Sequence, residues 1–325
     1  MHRESKRSCA GCGCTKEAAP SEAGALTRGA QPCPGTGLLG LVSARHPCFA
    51  LGKPNNKGRI HLPVAPGCNI ACRFCERSLN ATEQRPGVTA EVLGPPEALE
   101  VVARALELAP ELAVVGVAGP GDPLATPHAV ETFRLVKERF PQMIRCMSTN
   151  GLLLAERMDE LAEVGVDTLT VTVNEVDAGL LARINDHVVY HGRLHTGIEA
   201  AGMLIAKQLA GIRAAVERGM LVKVNTVLVP GVNDRRIGEV ARAVKEAGAG
   251  LYNVIPLIPC AKMSKVPAPT CAQTDRARSE AERHLAVFRH CQHCRADAIG
   301  VPGGKDYGEQ IYRRRIRHRE TFSHG

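Results

Sequence analysis

Tryptophan is absent from this 325-residue chain, and aromatic residues of every kind make up only 3% of it. A protein that lays bases along its surface needs aromatic faces to stack them on, so the composition excludes a stacking-based single-strand binder. Long hydrophobic runs are missing too. None reaches the length of about 18 residues that a membrane-spanning helix needs. The opening stretch MHRESKRSCAGCGC has no apolar core segment, so no secretory signal is expected. Cysteines in a chain without an export signal point to metal binding in a reduced cytoplasm rather than to disulfides.

Cysteine is what the chain has in quantity: thirteen residues. Basic residues also exceed acidic ones, 41 to 33, for a formal net charge of +8. Part of that excess sits in RRRIRHRE at 313–320, read as a solvated tail or a dock for an acidic partner, with nucleic acid the weaker option. The length suits one large α/β domain with extensions.

Residues 1–45 are rich in Gly, Pro, Ser and Ala and hold no period, so a flexible, Cys-rich arm is expected there. It carries Cys9, Cys12, Cys14 and Cys33. GTGLLG at 35–40 matches a dinucleotide-binding pattern. It follows a proline-rich stretch and not a strand, so that reading fails its context test.

From about residue 59 short apolar runs alternate with helical patterns. Strands are expected at 59–65, 112–119, 143–148, 167–174, 221–229 and 251–258, each followed by a helix. One helix face is expected to carry Leu99, Val102, Ala103 and Leu106, and another Val240, Ala243, Val244 and Ala247. Gly165 is the expected C-cap of a third helix. Six β/α units imply a parallel sheet curled into a partial (β/α)6 barrel, short of the eight units of a closed one. The barrel is expected to span 46–270, with 271–325 as a C-terminal extension.

CNIACRFC at 68–75 places Cys68, Cys72 and Cys75 in the loop after the first strand. Loops at the C-terminal ends of parallel strands face the ligand-binding mouth. Three thiolates can hold three irons of a four-iron cube, and the loop offers no fourth. An open coordination position is the mark of a catalytic metal site. The alternative is a zinc or closed cluster site completed by Cys48 or another distant cysteine.

The C-x3-C-x2-C motif after the first strand of a partial barrel resembles the radical S-adenosylmethionine (SAM) superfamily, in which SAM chelates the open iron. That resemblance implies SAM contacts from GPGDP at 119–123, through Gly119, Gly121 and Asp122. It implies others from STNG at 148–151, through Ser148 and Asn150, and from Asn174 and Asn225. Over residues 46–300 the chain resembles one branch more closely, the NifB family, which builds the core of the nitrogenase cofactor. HPCF, RPGV, AGPGDPLA, CMSTNGL, VLVPGVND and CQHCRADAIG carry that likeness.

The resemblance implies a 4Fe–4S cluster, SAM and two further 4Fe–4S clusters. The enzyme would fuse those two with insertion of a SAM-derived carbide, a lyase- or transferase-type reaction. His46, Cys48, Cys146, Cys291 and Cys294 are implied as substrate-cluster ligands. Glu83 is a candidate proton carrier or else an exposed carboxylate, and Arg85 a candidate anchor for a carboxylate or sulfide or else a loop cap. Taken alone, Cys146 reads as a core cysteine, and Cys291 and Cys294 as zinc ligands or free thiols. Implied partners are a cluster donor, a cofactor carrier and an external electron donor.

Two departures stand out. Family sequences carry a cysteine shortly after the third cluster cysteine and a histidine pair after HPC. Here residues 76–87 hold no cysteine and residues 50–58 no histidine. Cys260, Cys271, Cys33 and the arm cysteines are the available substitutes. Alternatives are therefore a relative acting on another substrate, or a non-catalytic iron–sulfur or zinc scaffold.

Overall fold

The structure, a computed structural model, describes residues 38–312. Cys9, Cys12, Cys14, Cys33, part of GTGLLG and the basic tail lie outside the described residues.

Six parallel strands make the wall: Gly58–His61, Leu112–Val117, Ile144–Thr149, Thr168–Thr172, Leu221–Leu228 and Leu251–Pro256, neighbours in that order. A short strand, Ile299–Gly300, adds antiparallel to Gly58–His61 at the edge. The result is the expected partial barrel. Every residue of Leu112–Val117 is buried, which is why that strand reads as an unbroken apolar run.

Helices pack on the outside. Pro95–Leu108 begins with proline at its first turn, and the Glu97 carboxylate accepts the Gly94 N–H at 2.9 Å. Its buried stripe is Ala98, Val101, Val102 and Ala105, with Leu99 and Leu106 at the edges. The expected face is thus turned by about one residue, because the small side chains let the helix lie close on the sheet. Ile237–Glu246 keeps most of its expected face, burying Val240 and Val244 with Ala247 just past its end, and adds Ile237 and Ala241 while Ala243 is half-buried. Gly165 takes φ +71° just past helix Met158–Glu163, as its expected capping role requires.

Two segments behave in ways the sequence patterns did not reveal. Residues 38–45 of the expected flexible arm form helix Leu38–Arg45, whose buried Val42 packs with Phe49, Leu221, Leu251 and Phe288. The long insert before the sixth helix is a β-hairpin, Asn185–Tyr190 with Arg193–Thr196. Its turn residues His191 and Gly192 both have positive φ, the geometry of a tight two-residue turn. At the other end of the chain, helix Cys271–Glu282 packs on Ile237–Glu246 and on strand Leu251–Pro256. Among the described residues no helix is long and apolar enough to cross a membrane.

Candidate active site

The cysteine loop is held from three sides. Its strand Ile70–Cys72 pairs antiparallel with the hairpin, Ile70 opposite Val188 and Cys72 opposite Asn185. Arg73, between the second and third cysteines, ion-pairs at 2.9 Å with Asp186, which also binds Lys262. The third support is GPGDP. Gly121 N–H donates to Ala65 O at 2.7 Å and Asp122 N–H to Gly67 O at 2.8 Å. A Cβ on Gly121 would stand 1.9 Å from Gly67 O, so the two backbones can approach only because this residue is glycine. Gly121→Ala is expected to destabilise the fold by at least ~2 kcal/mol and to weaken SAM binding. Thermal melting and SAM titration check this; an unchanged melting temperature would show that the contact yields.

Cys68, Cys72 and Cys75 are unbonded, half-buried thiols lining a cavity of about 340 Å³. Burial, then the Asp122 carboxylate, pushes the Cys68 thiol up to about 12. Burial and its two neighbouring thiols push Cys72 well above its ordinary value. Burial raises Cys75 as well, against the pull of Arg77 and Arg85. Three such thiols give up their protons together only to a cationic centre that takes all of them. Among the described residues no three His, Cys, Asp or Glu side chains are gathered tightly enough for a single ion.

The expected SAM-contact residues divide by geometry. Ser148, Asn150, Asn174, Asn225, Gly121 and Asp122 all line the cavity, whereas Gly119 lies just outside its lining. The buried Asp122 carboxylate is fully engaged by Thr149 O–H and by the N–H groups of Asn150 and Leu124. Burial pushes its carboxyl above the usual range against those three donors. It therefore pins GPGDP to STNG. Asn150 donates to Asn69 at 2.7 Å beside Cys68. Asn174 accepts the Val227 N–H, while Asn233 of PGVND donates to Asn174 O and Val227 O. That explains the PGVND segment as a lock on the strand ends. Asn225 accepts from Asn253, its register partner on the next strand and a cavity residue missed in the sequence.

His46, Cys48, Cys146, Cys291 and Cys294 line the same cavity. Burial raises Cys48 and carries Cys146 to about 12. Arg59 donates to the Cys294 sulfur at 2.9 Å. His46 is buried and its imidazole is held well below its ordinary pKa by burial, then by Lys223 and His61. Its Nδ1 accepts the Cys48 N–H at 3.1 Å, so Nε2 carries the ring proton, buried without a partner. Metal ligation through Nε2 requires that proton to leave and the Cys48 amide to turn away.

Glu83 does not line the cavity. Its carboxylate is half-exposed and is held by Arg85 at 2.7 Å and Asn80 at 3.0 Å. Its place is in the loop that orients Arg85, because two donors on that loop hold it there. Arg85 does reach the cavity, bonding also to Glu76 O. Of the substitute thiols, Cys260 lines the cavity and donates to the Glu76 carboxylate at 2.9 Å, whereas Cys271 is exposed at a helix start.

The sequence matches the Radical SAM superfamily over residues 62–244. It is 43% identical over 270 residues to the FeMo cofactor biosynthesis protein NifB of Methanocaldococcus infernus, covering 82% of this chain and 89% of that protein. This chain belongs to the NifB family of radical SAM enzymes. The Methanocaldococcus jannaschii NifB is 42% identical over 283 residues, 86% of this chain and 94% of its own length. A radical SAM methyltransferase from Sphaerobacter thermophilus shares the fold, with TM-score 0.54 and 20% identity over 73% of this chain and 67% of that one.

Membership in the NifB family makes the chain an enzyme with a 4Fe–4S cluster and SAM as cofactors, so the non-catalytic scaffold reading falls away. The residues present fit that pair. Three thiols from one short loop share a cavity of about 340 Å³ with polar strand-end side chains. Sequence reasoning missed Lys223, Arg59, His61 and Glu76. A signal for Lys223 was available. In LVKVNTVLV, Lys223, Asn225 and Val227 share one face by the period of two, and all three line the cavity.

Proposed function

We propose that this enzyme acts in nitrogenase cofactor biosynthesis, fusing two 4Fe–4S substrate clusters around a carbide carbon drawn from a SAM methyl group. One observation carries the reading: a single cavity is lined both by the three-thiol loop and by His46, Cys48, Cys146, Cys291 and Cys294.

When bound at Cys68, Cys72 and Cys75, the cofactor cluster supplies an electron for cleavage of SAM. The chain's own residues do the rest. Cys68, Cys72 and Cys75 would hold the cofactor cluster. The Asp122 clamp keeps GPGDP and STNG in place beside that loop. Ser148, Asn174 and Asn225 offer polar contacts for SAM. Cys48, Cys146, Cys291 and Cys294, with His46 once its ring proton has moved, would hold the substrate clusters. Cluster donor, product carrier and electron donor are separate partners, and the free thiols suit a reduced cytoplasm.

A second reading, the same radical chemistry on a different substrate, is favoured by the lack of cysteine in residues 76–87. Anaerobic reconstitution separates the two. Three cubes need about 12 irons per chain. Addition of SAM and dithionite is expected to yield 5′-deoxyadenosine and S-adenosylhomocysteine together. A chain that saturates at one cube while cleaving SAM sinks the carbide reading and leaves the second.

A further inference from the structure

Two buried cations stand at the second thiol set, Lys223 in the cavity wall and Arg59 against the Cys294 sulfur. Lys223 is 4% exposed and Arg59 6%. Lys223 Nζ donates to Cys48 O at 2.8 Å and stands over the rings of Phe49 and Phe288, at 4.7 and 5.0 Å. Arg59 reaches Gly300 O at 2.6 Å and the Cys294 sulfur at 2.9 Å, and its Nε is buried without a partner. Among the described residues neither cation forms an ion pair with an acidic side chain. The buried Asp297 carboxylate is paired with Arg295.

An unpaired buried charge is among the costliest things a fold can hold. Carbonyl and ring contacts offset part of the cost for Lys223, but they do not neutralise it. A site like this is completed by an anion. An iron–sulfur cube ligated by thiolates is a net anion in its common oxidation levels.

The geometry points to Lys223 and Arg59 as the residues that select and hold an anionic iron–sulfur substrate at the Cys48, Cys146, Cys291 and Cys294 thiols. They supply its countercharge and make its reduction easier. They are positioning residues, since they act through charge and through the Cys48 carbonyl and Cys294 sulfur. The inference rests on the cluster-fusion reading above and names how the chain recognises that substrate. Reduction adds negative charge to the cluster, so a fixed cation favours the reduced form. At an effective protein dielectric a unit charge several ångströms away outweighs thermal energy.

The test uses reconstituted full-length enzyme and a potential titration of the substrate-cluster signals. Lys223→Gln keeps a donor for Cys48 O and removes the charge; Lys223→Arg keeps the charge. At a fixed potential Lys223→Gln is expected to lower the reduced-to-oxidised ratio of a substrate cluster at least about tenfold, about 59 mV for one electron. It should also bind less substrate iron. Lys223→Arg should stay near wild type. The spectroscopic signal of the Cys68, Cys72 and Cys75 cluster serves as the folding control. If Lys223→Gln does not fold, Arg59→Gln reads the same charge from another strand. A Gln variant with wild-type iron and potential overturns the inference, as does an Arg variant that loses as much as Gln does. A wild-type chain that holds a single cube overturns the parent reading instead, before any variant is compared.

Discussion

Cys72→Ala is expected to abolish formation of 5′-deoxyadenosine while leaving the chain folded. Cys72 ends the strand Ile70–Cys72, and its backbone is kept in place by the hairpin opposite Asn185. Those contacts are main-chain and survive the substitution. The side chain is half-buried, so its packing loss is small. Its chemistry is not replaceable. Burial and the two other thiols of the loop raise its pKa, so it gives up its proton only to a metal centre. Removing a residue that merely orients a ligand costs about 10–100-fold in metal affinity, and removing a ligand costs more. No other thiol in residues 68–75 can take its place. The check is anaerobic iron counting together with chromatography of the nucleoside product. Retained cleavage at even a tenth of the wild-type rate would contradict the assignment of this loop to the radical cluster.

Cys146→Ala is expected to give the opposite pattern. Cleavage of SAM to 5′-deoxyadenosine persists, now uncoupled, while S-adenosylhomocysteine falls at least about tenfold. Cys146 belongs to strand Ile144–Thr149, paired with Gly116 on one side and Thr168 on the other. The sheet therefore fixes its position whatever its side chain. Its thiol reaches the cavity that Lys223 and Cys48 also line. Alanine removes the sulfur, and the volume lost is small because the sulfur already borders open space. If Cys146 is only a core cysteine, both products persist in the variant. If both vanish, the thiol belongs to the radical cluster and the division of labour between the two sets is wrong.

Much of the site can be read along the chain. The alternation of apolar strand and amphipathic helix announces six β/α units, because burial on both faces of a parallel sheet leaves an unmistakable pattern. The position of Cys68, Cys72 and Cys75 after the first strand announces the mouth of the barrel. The hairpin over residues 185–196 was not legible. Its burial pattern is mixed, and its pairing partner is the cysteine loop more than a hundred residues earlier. Arg85 and Glu83 could not be told apart as site and support. Both are charged residues in one loop, and only the hydrogen bonds decide which faces the cavity.

The sequence by itself determined the fold class, the radical cluster loop and the set of thiols available, since those depend on local pattern and on residue type. Tertiary structure alone decided how they are used. It brought Cys48, Cys146, Cys291 and Cys294 from three distant segments to one cavity with Cys68. It made the Asp122 carboxylate a clamp between GPGDP and STNG, and it committed the His46 Nδ1 to the Cys48 amide. It also set Lys223 in that cavity and Arg59, on a separate strand, against the Cys294 sulfur, neither ion-paired to a carboxylate among the described residues. Hydrogen-bond partners and unpaired charges are properties of space. Residues far apart in sequence acquire them only when strand register and loop packing bring their atoms within a few ångströms.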